Sequence, residues 1–431
     1  MLRHFLSVIA MSLAAQASAA TPMALVPDGL IDGIGDSRQT GRAVIVEGEY
    51  IVDVVPIKDL PASIRRLELP GMTLMPGLIN GHEHPLIYGD DYQNAHLSGS
   101  SAYKALLGLA ALQGMLHHGW TTVRVMGDAD VFFANQDIAR SIREGVHEGP
   151  RLTGAAHYLS ITGGGGDVNY LSPEQSVVSD GYIVDGSDEV RRAIRREIKY
   201  GSDWVKILVT GAFHSVGDNP MNVAFSPDEL AEAVAEATRH NVPVAAHAHA
   251  TAGINQAIEA GVRSIEHGTY LDDRSIELMV EHGTFYVPTI YVGDFYAGSD
   301  LLLAQDKNDD VYLDYRDEWL RRIGKAHRAG VKIVAGSDLG GYNMDPRAYA
   351  REIAVFEEAG LSPMAAIKTA TSVAAEMLNW QDRVGTIQAG LLADLIALPG
   401  NPLTDLSLLE NPSFVMKGGS VIRESAAADN E

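Results

Sequence analysis

Not one of the 431 residues is a cysteine. Disulfides, thiolate nucleophiles and thiolate metal ligands are therefore excluded, and any metal site must be built from His, carboxylate or a lysine derivative. Long apolar runs are also missing. Past residue 20 no stretch approaches the ~18 uninterrupted apolar residues that span a bilayer, so no membrane partner is expected once the N-terminal segment is removed. Positive charge is scarce, with 33 Lys and Arg against 56 Asp and Glu and a net charge of −23. The acidic residues are spread along the chain, which argues against nucleic acid or an anionic membrane as a partner. An anionic small-molecule substrate would need a local cationic feature.

Hydrophobic residues make up 46% of the chain, enough for a large core that needs no covalent staples. Residues 1–20 stand apart: a short basic start (Arg3, His4), an apolar stretch from Phe5 to Ala15, and the small residues Ala17-Ser18-Ala19-Ala20. That order is the signature of a secretory signal peptide, with cleavage expected near Ala19 or Ala20 and a periplasmic or secreted destination.

From Ala24 to Pro70 short alternating runs such as Ala43–Gly48 and Tyr50–Val55 are separated by Pro-Asp-Gly and Asp-Gly turn signals, which predicts a small antiparallel sheet. The same texture returns at Asp394–Leu398 and Phe414–Ile422. Residues 21–72 and 384–431 are therefore expected to form one composite β-sandwich domain. Between them, over 73–383, eight β-rich runs alternate with amphipathic helical stretches. The runs are Thr73–His84, Thr121–Gly127, Arg151–His157, Asp203–Val209, Val242–Ala248, Val262–His267, Thr284–Ile290 and Val331–Asp338. This alternation predicts an α/β fold, a (β/α)8 TIM barrel with its active site at the C-terminal strand ends.

Five of the eight runs carry chemistry at or near that end. The first ends in His82-Glu-His84, whose i, i+2 spacing puts both imidazoles on one face of a strand. The fourth carries Lys206, the fifth ends in His247-Ala-His249, the sixth in His267 and the eighth in Asp338. A lysine inside an apolar strand is costly as a cation, so burial favours its neutral amine, and a neutral amine captures carbon dioxide as an anionic, bidentate carbamate. Two His with the carbamate and Asp338, and two further His with the carbamate, would hold two divalent ions. Zn²⁺ is expected from this N/O donor mixture. Such a pair lowers the pKa of a shared water to near neutrality, leaving Asp338 as the general acid/base.

With these residues in place the chain resembles the metal-dependent amidohydrolase superfamily, in the branch of imidazolonepropionase-like proteins, Xaa-Pro dipeptidases (prolidases) and ochratoxin-hydrolysing amidases. The motifs are Met75-Pro-Gly-Leu-Ile-Asn80-Gly-His82-Glu-His84, Trp204-Val-Lys206, Ala246-His247-Ala-His249, Ser264-Ile-Glu-His267-Gly-Thr, Ala335-Gly-Ser-Asp338 and the C-terminal Ala389-Gly-Leu-Leu-Ala-Asp394-Leu. The resemblance implies His82, His84, carbamylated Lys206, His247, His267 and Asp338 as metal ligands, since the family uses the first histidine of the fifth-strand pair. His249 then faces substrate, and Tyr88, in the loop after the metal histidines, is a second candidate contact. A homo-oligomer is implied on the same ground.

Two positions depart from the family. Asn80 stands where Ile-Asp-x-His has Asp. In Thr162-Gly163-Gly164-Gly165-Gly166-Asp167, Gly165 stands where relatives often have His. The expected activity is hydrolysis of an amide in a small N-acyl amino acid or dipeptide with a free carboxylate, the carboxylate being implied only by the resemblance. A lactonase or cyclic-amide hydrolase is the alternative within the superfamily, and a non-catalytic periplasmic metal- or solute-binding protein the alternative outside it.

Overall fold

The computed structural model describes residues 21–89, 91–297, 309–341 and 344–424, without the side chains of 309–314; the expected signal peptide lies outside the described residues. Near the N-terminus the alternating runs become β1 (Met23–Leu30), β2 (Arg42–Glu47), β3 (Tyr50–Pro56) and β4 (Arg65–Pro76). Gly48, at φ 58°, makes the tight β2–β3 hairpin turn in a backbone region open to glycine. The next strands, β5 (Leu78–Glu83), β6 (Trp120–Met126) and β7 (Arg151–Ala155), form a parallel sheet. A second parallel sheet holds β8 (Tyr158–Ser160), β9 (Tyr182–Ile183), β10 (Val205–Leu208), β11 (Val244–Ala248), β12 (Ser264–His267) and β13 (Phe285–Val287), in the order β13-β12-β11-β10-β8-β9. Last come β14 (Leu395–Pro399), β15 (Phe414–Lys417) and β16 (Ser420–Glu424).

Both chain ends enter one seven-stranded sheet, β16-β15-β14-β4-β1-β2-β3. The expected sandwich is thus a single sheet curled on itself: Ile51 N donates to Leu391 O at 2.8 Å. Leu25, Val44 and Ile51 from one half share a core with Leu395, Phe414 and Met416 from the other.

The two parallel sheets are joined on both sides. The 331–338 run lies between β13 and β5, with Val334 N donating to Tyr286 O (2.9 Å), Gly81 N to Ala335 O (2.8 Å) and Asp338 N to His82 O (3.0 Å). Opposite, Asp203 N and Trp204 N both donate to Gly154 O in β7, at 3.1 and 3.2 Å. This is the arrangement of a TIM barrel with an added β-domain. Helices cover it as their periodicity predicts. Ser187–Lys199 buries Val190, Ala193, Ile194 and Glu197, the i, i+3, i+4, i+7 face, and Pro227–Arg239 begins in a Ser226/Glu229 capping box. Among the described residues no helix is long and apolar enough to cross a membrane.

One expected boundary moves. The first run, Thr73–His84, is two strands: Thr73–Pro76 pair with β14 in the terminal sheet, and the barrel strand starts at Leu78. No polar residue marks the junction; the one cue is the Pro76-Gly77 pair, a turn signal. Gly77 makes the passage, since a Cβ there would lie 2.3 Å from Thr121 Oγ1.

Candidate active site

The strand ends bring His82, His84, Lys206, His247, His249, His267 and Asp338 to one cavity floor. His82 Nε2 lies 3.1 Å from His84 Nε2 and 3.4 Å from Lys206 Nζ. Asp338 Oδ1 is 3.4 Å from His82 Nε2 and 3.2 Å from His84 Nε2, and its Oδ2 is 3.6 Å from His267 Nδ1. The His247 ring is 4.4 Å from that of His267 and 4.5 Å from that of His249, which stacks on His267 at 5.0 Å. Two donor groups converge: His82, His267 and Asp338 each offer an atom within 4.8 Å of the others, as do His247, His249 and His267. Geometry alone does not separate His247 from His249 as the ligand.

Backbone conformation helps to build this convergence. His267 (φ 67°), Thr289 (φ 51°) and Asp338 (φ 53°) all sit in the left-handed region, where a β-branched residue such as Thr289 is rarely found. Such strain persists only where surrounding structure over-determines it, and it gathers at functional sites. In a regular strand Glu266 and His267 would point to opposite faces. The turn of the backbone at His267 brings both to His82: Glu266 Oε2 accepts from His82 Nδ1 at 2.7 Å, while the His267 ring stands 5.1 Å from that of His82. With Nδ1 as donor, His82 turns an acceptor Nε2 to the cavity, the tautomer a metal ligand needs.

Glu266 is itself held by Arg124, which is fully buried on β6. The guanidinium donates to both carboxylate oxygens (2.8 and 2.9 Å) and to Ser264 Oγ (3.0 Å), and lies 4.5 Å from the Trp204 ring centroid. Sequence reasoning missed Arg124 and Glu266; the only cue is one charged residue in each of two apolar strands. Replacing Arg124 by Met leaves Glu266 buried without its cation, and loss of one partner of a buried pair costs about 3–5 kcal/mol. Chemical denaturation of Arg124→Met should show that loss. Stability equal to the parent chain would remove Arg124 from this role.

Asn80 has a reason to be an amide. Its Oδ1 accepts from His82 N (3.1 Å) and Ser337 N (3.2 Å), while its Nδ2 donates to Ser337 Oγ (2.6 Å) and Glu83 Oε2 (3.2 Å). An ionised Asp has no proton for the last two bonds. Burial pushes Glu83 up to about 8, against hydrogen bonds from Ser337 and the His84 and Gly340 amides.

Burial disfavours the charged forms of His82, His247, His249 and His267. Burial first, then Lys206, holds His247 down to about 3, and burial likewise holds His82, His249 and His267 well below the ordinary value. Lys206 is 1% exposed, and burial lowers it to about 8. Burial pushes Asp338 up, but His82, His84 and Lys206 outweigh it and hold the carboxyl below its usual range.

Above the floor a cavity of about 590 Å³ opens between the loops after the strands, lined among others by Phe213, His214, Val292, Tyr296 and Trp319. His249 lines it as expected, with Nδ1 2.9 Å from Thr269 Oγ1 and its ring edge-on to Phe213 at 4.6 Å. Tyr88 is a correction. Its neighbours Ile87 and Gly89 line the cavity but Tyr88 does not; its side chain points the other way, the hydroxyl donating to Ala95 O (3.3 Å) and the ring packing on Tyr103. Gly165 does line the cavity, and a Cβ there would meet Ala212 Cβ and Asp218 Oδ2 at 3.0 Å.

Comparisons with known proteins agree with this geometry. The amidohydrolase family model matches residues 73–422. The chain is 33% identical to ochratoxinase of Aspergillus niger over 424 residues, covering 91% of this chain and 85% of the relative. A crystal structure of a Xaa-Pro dipeptidase with bound methionine superposes with a TM-score of 0.84 at 32% identity, covering 93% of this chain and 99% of that one. A prolidase complexed with N-methylphosphonate-L-proline gives 0.84 at 30%, covering 94% and 100%. The family match takes in every strand end that contributes to the floor, from His82 to Asp338, and the chain belongs to the amidohydrolase family.

Proposed function

We propose that this hydrolase is binuclear and cleaves the amide bond of N-acyl amino acids or dipeptides that carry a free carboxylate. The observation that carries the proposal is Lys206, buried among four histidines and Asp338 with no carboxylate oxygen of the described residues within 4.0 Å of its amine. A buried ammonium without an ion-pair partner is unfavourable, whereas its carbamate is an anion suited to lie between two cations.

The donor set fits two divalent cations. His82, His84 and Asp338 would hold one, His247 and His267 the other, and carbamylated Lys206 would contribute to both. All are imidazole nitrogens or anionic oxygens, the donors Zn²⁺ accepts. Cations held there supply Lewis-acid polarisation of the scissile carbonyl and lower the pKa of a water. The chain's own residues do the rest. Asp338, held as a carboxylate, takes a proton from the attacking water and returns it to the leaving nitrogen. Glu266 and Arg124 fix the orientation of His82. Phe213 and Trp319 give the cavity walls apolar surface for the substrate to lie against.

The relatives support the amide and the carboxylate. Ochratoxinase and the Xaa-Pro dipeptidase share most of the chain's length, and the ligands of two neighbours, methionine and N-methylphosphonate-L-proline, are an amino acid and an N-substituted one. The test is a panel of N-acyl amino acids, dipeptides including Xaa-Pro, and lactones, offered to the protein reconstituted with Zn²⁺. Cleavage confined to amides bearing a free carboxylate is expected. Turnover of lactones or cyclic amides alone would replace this reading with a lactonase or cyclic-amide hydrolase.

A further inference from the structure

A carboxylate-bearing substrate meets a difficulty in this cavity. Among the described lining residues Lys206 is the one Lys or Arg, and it sits in the metal-binding floor, while Asp91 and Asp218 add acidic side chains to the lining. The remaining side-chain donors are committed. Ser215 Oγ gives its proton to Gly165 O, so the Tyr92 hydroxyl 3.0 Å away must donate to Ser215. Tyr158 donates to Asp180 at 2.6 Å, Gln93 Nε2 to Asp167 O and Asp180 Oδ1, and Tyr296 to Leu339 O. Thr269 and Thr289 are bonded to His249 and His267, and Trp319 donates to the Tyr286 hydroxyl.

His214 is the exception. It lies on the 211–219 loop after β10, is exposed, lines the cavity, and packs its ring on Tyr296 at 5.4 Å; no hydrogen bond engages its ring nitrogens among the described residues. Its loop is well fixed. Gly211 N donates to Asn222 O (3.1 Å), Ala212 N to Asp218 Oδ2 (2.8 Å) and Asp218 N to Ser215 O (3.2 Å). Ser215 pins the loop to Gly165, where the missing side chain leaves room for Ala212 and Asp218. One residue before His214, Phe213 stands against His249, beside the floor.

We propose that His214 is the specificity-determining anchor for the substrate carboxylate, donating a ring N–H to it from the cavity wall while the amide bond lies on the floor. The assignment rests on the carboxylate reading above. An imidazole always presents at least one N–H, gains a second when protonated, and is favoured as a cation beside a carboxylate. Charge-assisted hydrogen bonds of this kind are the stronger ones.

The experiment compares each cleaved acid with its C-terminal carboxamide, N-benzoyl-phenylalanine among them, for the Zn²⁺-reconstituted wild-type protein, His214→Ala and His214→Lys. The readout is the acid-to-amide ratio of kcat/KM. Wild type should prefer the acid; His214→Ala should lower the ratio by about 10–100-fold through KM for the acid, the size of one lost hydrogen bond to a charged group. His214→Lys should restore much of it. Calorimetric binding of phenylalanine against phenylalaninamide gives the same ratio if turnover is lost. If wild type prefers the acid and His214→Ala keeps that preference, including by losing acid and amide turnover equally, the anchor assignment is overturned alone. If wild type shows no preference, the carboxylate reading fails and the anchor with it.

Discussion

Asp338→Asn is expected to reduce turnover by about 10²–10⁴-fold, the usual contribution of a positioned acid/base, while bound metal stays near the parent level. The substitution keeps shape. Asn is among the few residues at ease at φ 53°, so the left-handed backbone that aims this side chain is undisturbed. The position also lies between His82, His84 and His267, three imidazoles that stay in place to hold metal without it. What is lost is a negative charge and the ability to accept a proton at that place. Elemental analysis of the purified variant beside its kinetics separates the two roles. Unchanged turnover with metal retained would end the acid/base assignment, whereas loss of metal and activity together would make Asp338 chiefly a ligand.

Much of the floor was legible because strand ends print themselves on a sequence. A polar or ionisable residue that closes an apolar run must leave the barrel wall where the strand stops, and His82, His247, His267 and Asp338 do so, while Lys206 is legible as the one charge inside the apolar strand β10. Helices such as Ser187–Lys199 were legible for the complementary reason, a 3.6-residue burial period. Three things were not. The Pro76-Gly77 pair hints at a turn within one apolar run, but that its halves join two different sheets only the pairing partners reveal. Glu266 shares the Ser264 face of β12 as strand periodicity requires, and it is the left-handed His267 that lets the adjacent residue also reach His82, a bend periodicity does not foresee. Tyr88 follows the metal histidines closely in sequence and its neighbours Ile87 and Gly89 line the cavity, yet its side chain turns away to Tyr103 and Ala95. Which way a loop side chain points is set by its packing partners, which sequence distance does not encode.

Lys206→Met should abolish both metal retention and activity, lowering turnover by about 10³-fold or more when a required group of the site is removed. Met is close in length and apolar, so the fold should tolerate it: the variant removes a buried amine that has no carboxylate of the described residues within 4.0 Å and leaves the β10 pairing with Tyr158 and Ala245 intact. Thermal melting of the metal-free proteins should therefore place the variant at or above the parent. The shorter Lys206→Ala leaves room beside His82 and His247, and a short carboxylic acid such as acetate or propionate can enter as the missing anion. Partial recovery of metal content and turnover with that acid is the expected result, together with a bicarbonate dependence of metal uptake in the parent that both variants lack. Full metal occupancy of Lys206→Met without added acid would show that the histidines and Asp338 suffice, and the carbamate would have no place in the site.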